Sequence, residues 1–321
     1  MNDTLLNEFI PSTVFNEIHY VMALNKNYLL HNKSKRLPDW LKTSLPKGEN
    51  FYHLKKLVDR YGLNTVCESA SCPNIGSCWS SGTLTLMILG STCSRACRFC
   101  DVPTGHMKQP RETEPIEVAE MLSMLGLNYV VITSVDRDDL YDEGANIWAE
   151  TIHLVKEHCP GMKVEALIPD FKGKFSLVNK VCQSKPDVIA HNLETVESLQ
   201  SLIRPQCRYS WSLETLRIAS EKKIITKSNL MLGFGEKKKE VVETMRHLVE
   251  VDCQILSIGQ YLRPSKKHLE VVEYIHPDKF LEYKVIGESL GIKHVEAGPL
   301  VRSSYRADQQ SKIVMEDLQC S

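Results

Sequence analysis

From Thr83 onward the apolar positions fall into short, nearly unbroken runs, separated by longer stretches in which they recur every three or four residues. The runs are TLTLMILG (83–90), YVVITS (129–134), KVEALIPD (163–170), DVIAHNLE (187–194), TKSNLMLGFG (226–235) and ILSIGQYL (255–262). They read as strands, and each is too continuous to leave one face wet. The intervening stretches, such as PIEVAEMLSMLG, GANIWAETIHLVKEH and KKEVVETMRHLVE, read as amphipathic helices. Strand then helix, repeated six times, predicts an α/β protein with a parallel sheet. Periodicity alone does not separate a barrel from an open, doubly wound sheet. A dinucleotide fold would carry GxGxxG after its first strand, and this chain has Gly90-Ser91-Thr92-Cys93 there.

Upstream of the strands the pattern is sparser. Residues 1–35 form a polar-apolar arm whose function is not legible. Within 51–61, Phe51, Leu54, Leu57 and Val58 have helical spacing, and Gly62 follows as a C-terminal stop. The segment after Gly62 is therefore expected to be a loop. It carries Cys67, Cys72 and Cys78, the first of two cysteine triplets. The second, Cys93, Cys97 and Cys100, follows the first strand, so six of the eleven cysteines lie within 67–100.

Thiols this close are metal ligands or disulfide partners. Disulfides fit poorly, because the first thirty-five residues lack an apolar signal core and also carry Asp3, Glu8 and Glu17 but no arginine, which argues against export and against a mitochondrial presequence. A reducing cytoplasm is the expected compartment. Zinc usually takes four ligands from paired knuckles. Here only Cys97 and Cys100 have the two-residue spacing, and each triplet is one ligand short. Three thiolates on a tight loop suit a cubane iron-sulfur cluster with one iron left open.

The spacing Cys93-x3-Cys97-x2-Cys100, with Phe99 before the last cysteine, resembles the cluster motif of the radical S-adenosylmethionine (SAM) superfamily. Cys67-x4-Cys72-x5-Cys78 is similar to the auxiliary-cluster motif of the lipoyl synthase family. Pro73-Asn74-Ile75, Cys78-Trp79, Met87-Ile88-Leu89-Gly90, Cys100-Asp101-Val102 and Arg302-Ser303-Ser304-Tyr305 resemble the same family, over about Arg36 to Ala307. Arg36-Leu37-Pro38-Asp39-Trp40-Leu41 resembles its first segment, where Trp40 would anchor the arm.

The resemblance implies a partial (β/α)6 barrel of the TIM type, with N- and C-terminal extensions. The expected layout is an arm (1–35), an extension with the first triplet (36–82), the barrel (83–292) and a C-terminal segment with RSSY (293–321). It implies two 4Fe-4S clusters: one on Cys93, Cys97 and Cys100, which binds SAM, and one on Cys67, Cys72 and Cys78, with Ser304 as its fourth ligand. By the same resemblance Thr133 and Ser134 face the methionyl amino group; a Ser/Asp N-cap opening the next helix reads Thr133 to Asp139 equally well, and one residue can do both. Glu165, charged among apolar neighbours, would reach the ribose hydroxyls, or else sit at a surface edge. Asn192 is the expected polar contact of the His191-Asn192 pair. Arg204 and Arg208 are candidate carboxylate clamps. Gly233 and Gly235 resemble the turn that passes the adenine, though Asn229 and Lys237 depart from the usual pattern there.

The implied activity is insertion of sulfur at C6 and C8 of a protein-bound octanoyl-lysine, with the auxiliary cluster as sulfur donor. Implied partners are octanoylated lipoyl domains of 2-oxo-acid dehydrogenase acyltransferase subunits, the glycine-cleavage H protein, a flavodoxin or ferredoxin electron donor, and an iron-sulfur carrier. Two other readings stand beside it: a radical SAM sulfur inserter of the biotin-synthase or methylthiotransferase kind, and a non-catalytic iron-sulfur or zinc protein. Net charge is −1 with no long basic stretch, so no nucleic-acid partner is indicated, and 42% apolar with 25% charged residues indicates no membrane span. Lys237-Lys238-Lys239 and Lys266-Lys267 are the densest basic spots, and a solvated face explains them.

Overall fold

The computed structural model describes residues 37–43, 49–70, 72–80 and 83–319. The 1–35 arm lies outside the described residues. Helix α1 (Glu49–Tyr61) buries Leu54 and Val58 and stops at Gly62, whose φ of +58° costs a glycine little. After it come a two-residue strand, β1 (Asn64–Thr65), and two short helices, α2 (Val66–Ser69) and α3 (Ile75–Ser80). The first cysteine triplet therefore sits on two short helices and their link, not on the plain loop expected. Thr65 makes this possible by accepting the Glu68 N–H at 3.3 Å, a cap that starts α2 directly from β1.

The sheet runs β1, β2 (Thr85–Ile88), β3 (Tyr129–Ser134), β4 (Lys163–Leu167), β5 (Val188–Ala190), β6 (Ile225–Leu232), β7 (Ile255–Gln260) and β8 (His294–Ala297). From β2 to β8 every neighbour is parallel, and spatial order equals chain order. A doubly wound sheet would reverse its order at a switch point, so this is the wall of a barrel. It stays open because β1, antiparallel to β2, and β8 are its edges. The helices between parallel strands are α4 (Glu114–Leu125), α5 (Ala145–His158), α6 (Phe175–Gln183), α7 (Gln200–Ile203) with α8 (Tyr209–Glu221), α9 (Lys238–Glu250) and α10 (Pro277–Ser289).

Two expectations need correcting. β8 is a seventh parallel strand, beyond the 292 boundary given to the barrel; its four residues are too few to show a period, and only pairing with β7 (Ile255 opposite His294) defines it. The runs 163–170 and 187–194 also overshoot. β5 ends at Ala190, and Glu194, at φ +68°, turns the chain while its N–H still reaches Asn229 O at 2.9 Å. His191, Asn192 and Glu194 are thereby released from strand geometry at one mouth of the barrel.

β6 and β7 are buried along their full lengths, as continuous strands between two covered faces should be. At the opposite mouth α11 (Ala307–Gln319) packs Val314 against Val188, Ile225 and Ile255 and closes the barrel floor. Just inside this floor lies Glu165. Its carboxylate is 3.1 Å from Lys227 Nζ and accepts the Tyr129 hydroxyl at 2.7 Å, with Glu165 and Lys227 both sealed from water.

Candidate active site

A cavity of about 450 Å³ opens at the C-terminal ends of the parallel strands, where a barrel gathers its loops. Cys93, Cys97 and Cys100 line it from the loop after β2. That loop is closed by Cys93 N–H on Pro103 O (2.8 Å) and Cys100 N–H on Cys97 O (3.1 Å). The N–H groups of Arg95 and Asp136 point at Cys93 Sγ from 3.4 and 3.3 Å. Burial, and next the Asp136 charge, push the Cys93 thiol up to about 12, and burial takes Cys100 to about 11. These are neutral thiols until an electrophile displaces the proton, as metal binding does.

Arg95, inside the cysteine motif, fastens this loop to the barrel. Its guanidinium, almost fully buried, reaches Asp138 at 2.7 Å, Asp170 at 2.7 Å and Asp136 at 3.4 Å. Burial alone would raise Asp138, but hydrogen bonds from Arg95 and Lys172 bring it down to about 2.

A second cavity, about 140 Å³, is lined by Cys67, Cys72 and Cys78 together with Thr85, Ser303 and Ser304. Val66, Ala70, Arg302, Ser303 and Ser304 line both cavities, so the two chambers adjoin at the RSSY turn. Burial pushes the Cys78 thiol up to about 12. Every cysteine among the described residues is a free thiol, and no three Cys, His, Asp or Glu among them converge tightly enough to grip one metal ion. A cubane takes one thiolate per iron, so its ligands are spread around a volume rather than around a point.

The larger chamber also holds orphaned polar atoms. Asn192 Oδ1 and Asn229 Oδ1 are buried acceptors without a donor, and Arg204 Nε is a buried donor without an acceptor. Both asparagine amides spend their N–H groups on Glu194, at 2.9 and 3.4 Å. Burial raises the Glu194 carboxyl against the pull of Arg204 and these amides. Unpaired buried polar atoms are expensive unless a ligand completes them. A ligand with an ammonium or hydroxyls for the two asparagines fits.

The other sequence candidates divide. Thr133 and Ser134 line the chamber, but Thr133 Oγ1 donates to Leu167 O at 3.1 Å and Ser134 Oγ accepts the Trp148 indole N–H at 3.1 Å. Neither caps a helix: α5 starts at Ala145, eleven residues after Ser134, where Asp142 receives the Gly144 and Asn146 N–H groups. Arg204 reaches inward yet spends Nη1 on Asn192 O and Leu193 O, so it braces the β5 turn. Arg208 is exposed and stacks on Trp211. Glu165 is outside the chamber, in the floor ion pair, because the residue facing inward at mid-strand points below the cavity. Gly233 and Gly235 do not line the chamber either. A Cβ on Gly233 would meet Gln260 Nε2 at 2.2 Å and Glu273 O at 2.6 Å, so this glycine serves a chain crossing. His191 is a satisfied core histidine, bonded to Ile168 O (2.8 Å) and Ser212 Oγ (2.9 Å). Trp40 packs edge-on against His276, which ties the first described segment to the barrel. Glu194 and Arg95 were missed, although a carboxylate at an apolar strand end and an arginine inside a cysteine motif are both visible signals.

The N-terminal domain of lipoyl synthase of the radical SAM family matches residues 3–72, well ahead of Arg36, and the radical SAM superfamily domain matches residues 87–248. The chain is 47% identical to a lipoyl synthase of Treponema denticola over 86% of its own length and 95% of the relative's. It is 48% identical to a mitochondrial lipoyl synthase of Nematostella vectensis over 85% of its length and 94% of the relative's. Among solved structures it resembles methylornithine synthase (TM-score 0.52, 16% identity, 66% of this chain and 63% of that one). It also resembles the FeFe-hydrogenase maturase HydG from Carboxydothermus hydrogenoformans (TM-score 0.52, 12% identity, 95% and 82%). At such identities these two likenesses speak for the fold alone.

Proposed function

This chain belongs to the lipoyl synthase family of the radical SAM superfamily, and on that premise we propose that its adjoining chambers insert two sulfur atoms into a protein-bound octanoyl-lysine, at C6 and C8. The observation that carries this reading is the meeting of both cysteine triplets at one RSSY turn, with Ser304 in the wall of each chamber. Cys93, Cys97 and Cys100 would hold the SAM-binding 4Fe-4S cluster. With SAM bound and one electron delivered by a reduced donor, that cluster would supply the radical chemistry that removes hydrogen from unactivated carbon.

The residues of the chain bind and orient. Asn192 and Asn229 offer their unpaired oxygens to the cofactor's amino or hydroxyl groups. Val66, Met87, Val102 and Met231 give the larger chamber apolar walls suited to an alkyl chain. Cys67, Cys72, Cys78 and Ser304 would hold the second cluster, which is a reactant: its sulfur leaves in the product, and an iron-sulfur carrier must restore it. Octanoylated lipoyl domains of acyltransferase subunits and the glycine-cleavage H protein are the substrates this reading implies, with a flavodoxin or ferredoxin as electron donor. No helix among the described residues is long and apolar enough to cross a membrane. A cytoplasmic setting follows from the thiol-rich composition.

The test is anaerobic reconstitution with iron and sulfide, then incubation with SAM, a reductant and an octanoyl-lysine peptide. About eight irons per chain are expected, with a gain of two sulfurs on the peptide by mass spectrometry. Replacing Cys67, Cys72 and Cys78 by alanine should remove about half the iron and all thiolation while deoxyadenosine still forms. Thiolation that survives those replacements would remove the assignment.

A further inference from the structure

The turn that carries Ser304 shares a cavity wall with the first cysteine triplet, and the segment leading into it is held from two sides. Between β8 and the turn the chain passes over the end of β7: Gly298 N–H bonds Ile258 O (3.0 Å) and Gln260 N–H bonds Pro299 O (3.2 Å). At the crossing lies Gly259, which is not in a left-handed conformation. Its reason is space. A Cβ there would stand 2.0 Å from Val301 O and 3.0 Å from Val301 C, backbone atoms that no rotamer change can move. From the other side Asn74, between Cys72 and Cys78 and buried, donates Nδ2–H to Leu300 O at 2.6 Å. The turn itself is closed by Tyr305 N–H on Arg302 O at 2.9 Å.

We propose that Asn74 and Gly259 are positioning residues that set the Ser304 hydroxyl over the first cysteine triplet. Gly259 fixes how closely the Arg302–Tyr305 turn approaches the barrel end. Asn74 locks that turn to the segment bearing the cysteines, so ligands more than two hundred residues apart in sequence move as one unit. The inference rests on the reading of Ser304 as a cluster ligand and explains how so distant a ligand is kept in place.

The test uses the full chain, reconstituted anaerobically, as wild type and as Gly259→Ala, Asn74→Asp and Ser304→Ala. Asn74→Asp keeps the shape but replaces the donor with an acceptor facing Leu300 O. Iron release to a chelator is followed, and the cluster at Cys93 is identified as the one whose electron paramagnetic resonance spectrum changes on adding SAM. Both positioning variants should release iron from the other cluster about tenfold faster, the weight of one good hydrogen bond, with the SAM-responsive spectrum unchanged. Wild-type release in Asn74→Asp and Gly259→Ala, with fast release in Ser304→Ala, overturns the positioning role and leaves the ligand. Wild-type release in all three removes Ser304 as ligand, and the inference with it. If Gly259→Ala does not fold, Asn74→Asp decides alone.

Discussion

Arg95 Nη1 and Asp170 Oδ2 lie 2.7 Å apart beneath the cavity, joining the second cysteine loop to the end of β4 in a place water does not reach. Taking away one partner of such a pair strands the other as an unpaired buried charge. Arg95→Ala should therefore cost about 3–5 kcal/mol of stability, read as a lower denaturant midpoint. Arg95→Lys should recover only part, since one ammonium cannot span Asp136, Asp138 and Asp170 together. An unchanged midpoint in Arg95→Ala would show that the clamp is idle.

The Glu165–Lys227 pair in the barrel floor predicts a double-mutant signature. Lys227→Met alone leaves a buried carboxylate with only the Tyr129 hydroxyl and should destabilise by roughly 3–5 kcal/mol. Adding Glu165→Gln should restore most of that loss. SAM affinity, measured by titration calorimetry on the reconstituted protein, should be the same in Glu165→Gln as in wild type. A tenfold loss there would return Glu165 to the ribose.

The orphaned oxygens of Asn192 and Asn229 predict a binding defect without a metal defect. Asn192→Ala and Asn229→Ala should each weaken SAM binding by about tenfold or more, the range of a hydrogen bond to a charged group. Iron content should stay at the wild-type level. Equal SAM affinity in both variants would mean the oxygens face only solvent.

His191 predicts a pH dependence. Burial first, then the Arg204 charge, hold its folded-state value at about 4, against about 6.5 in the unfolded chain. Between these values the unfolded state binds the extra proton. Stability is therefore complete above about pH 6.5 and declines as pH falls toward 4, by on the order of 3 kcal/mol. Denaturant midpoints across this window should slope in wild type and flatten in His191→Gln. Equal slopes would show that the imidazole titrates normally.

The cysteine triplets were legible because their members are neighbours in the chain: four residues or fewer separate most of them, so spacing alone constrains the geometry. Six of the parallel strands were legible for a similar reason, since burial on both faces leaves a continuous apolar run. β8 was not, because four residues carry no period. Glu165 and Glu194 show where such reasoning ends. Both are carboxylates among apolar neighbours in consecutive strand runs, and composition treats them alike.

Amino-acid order by itself determined the two thiol sets, the strand-helix alternation and the absence of a dinucleotide turn, because each is local and depends on a few consecutive residues. Tertiary structure alone decided that Glu165 sits in the floor while Glu194 borders the chamber, that Arg95 binds three carboxylates, and that Asn74 and Gly259 meet Leu300 and Val301 on the approach to the Ser304 turn. Those outcomes depend on how far along a barrel strand each residue lies and on which distant segments cross there. Such distances arise only when the sheet curls and its loops converge.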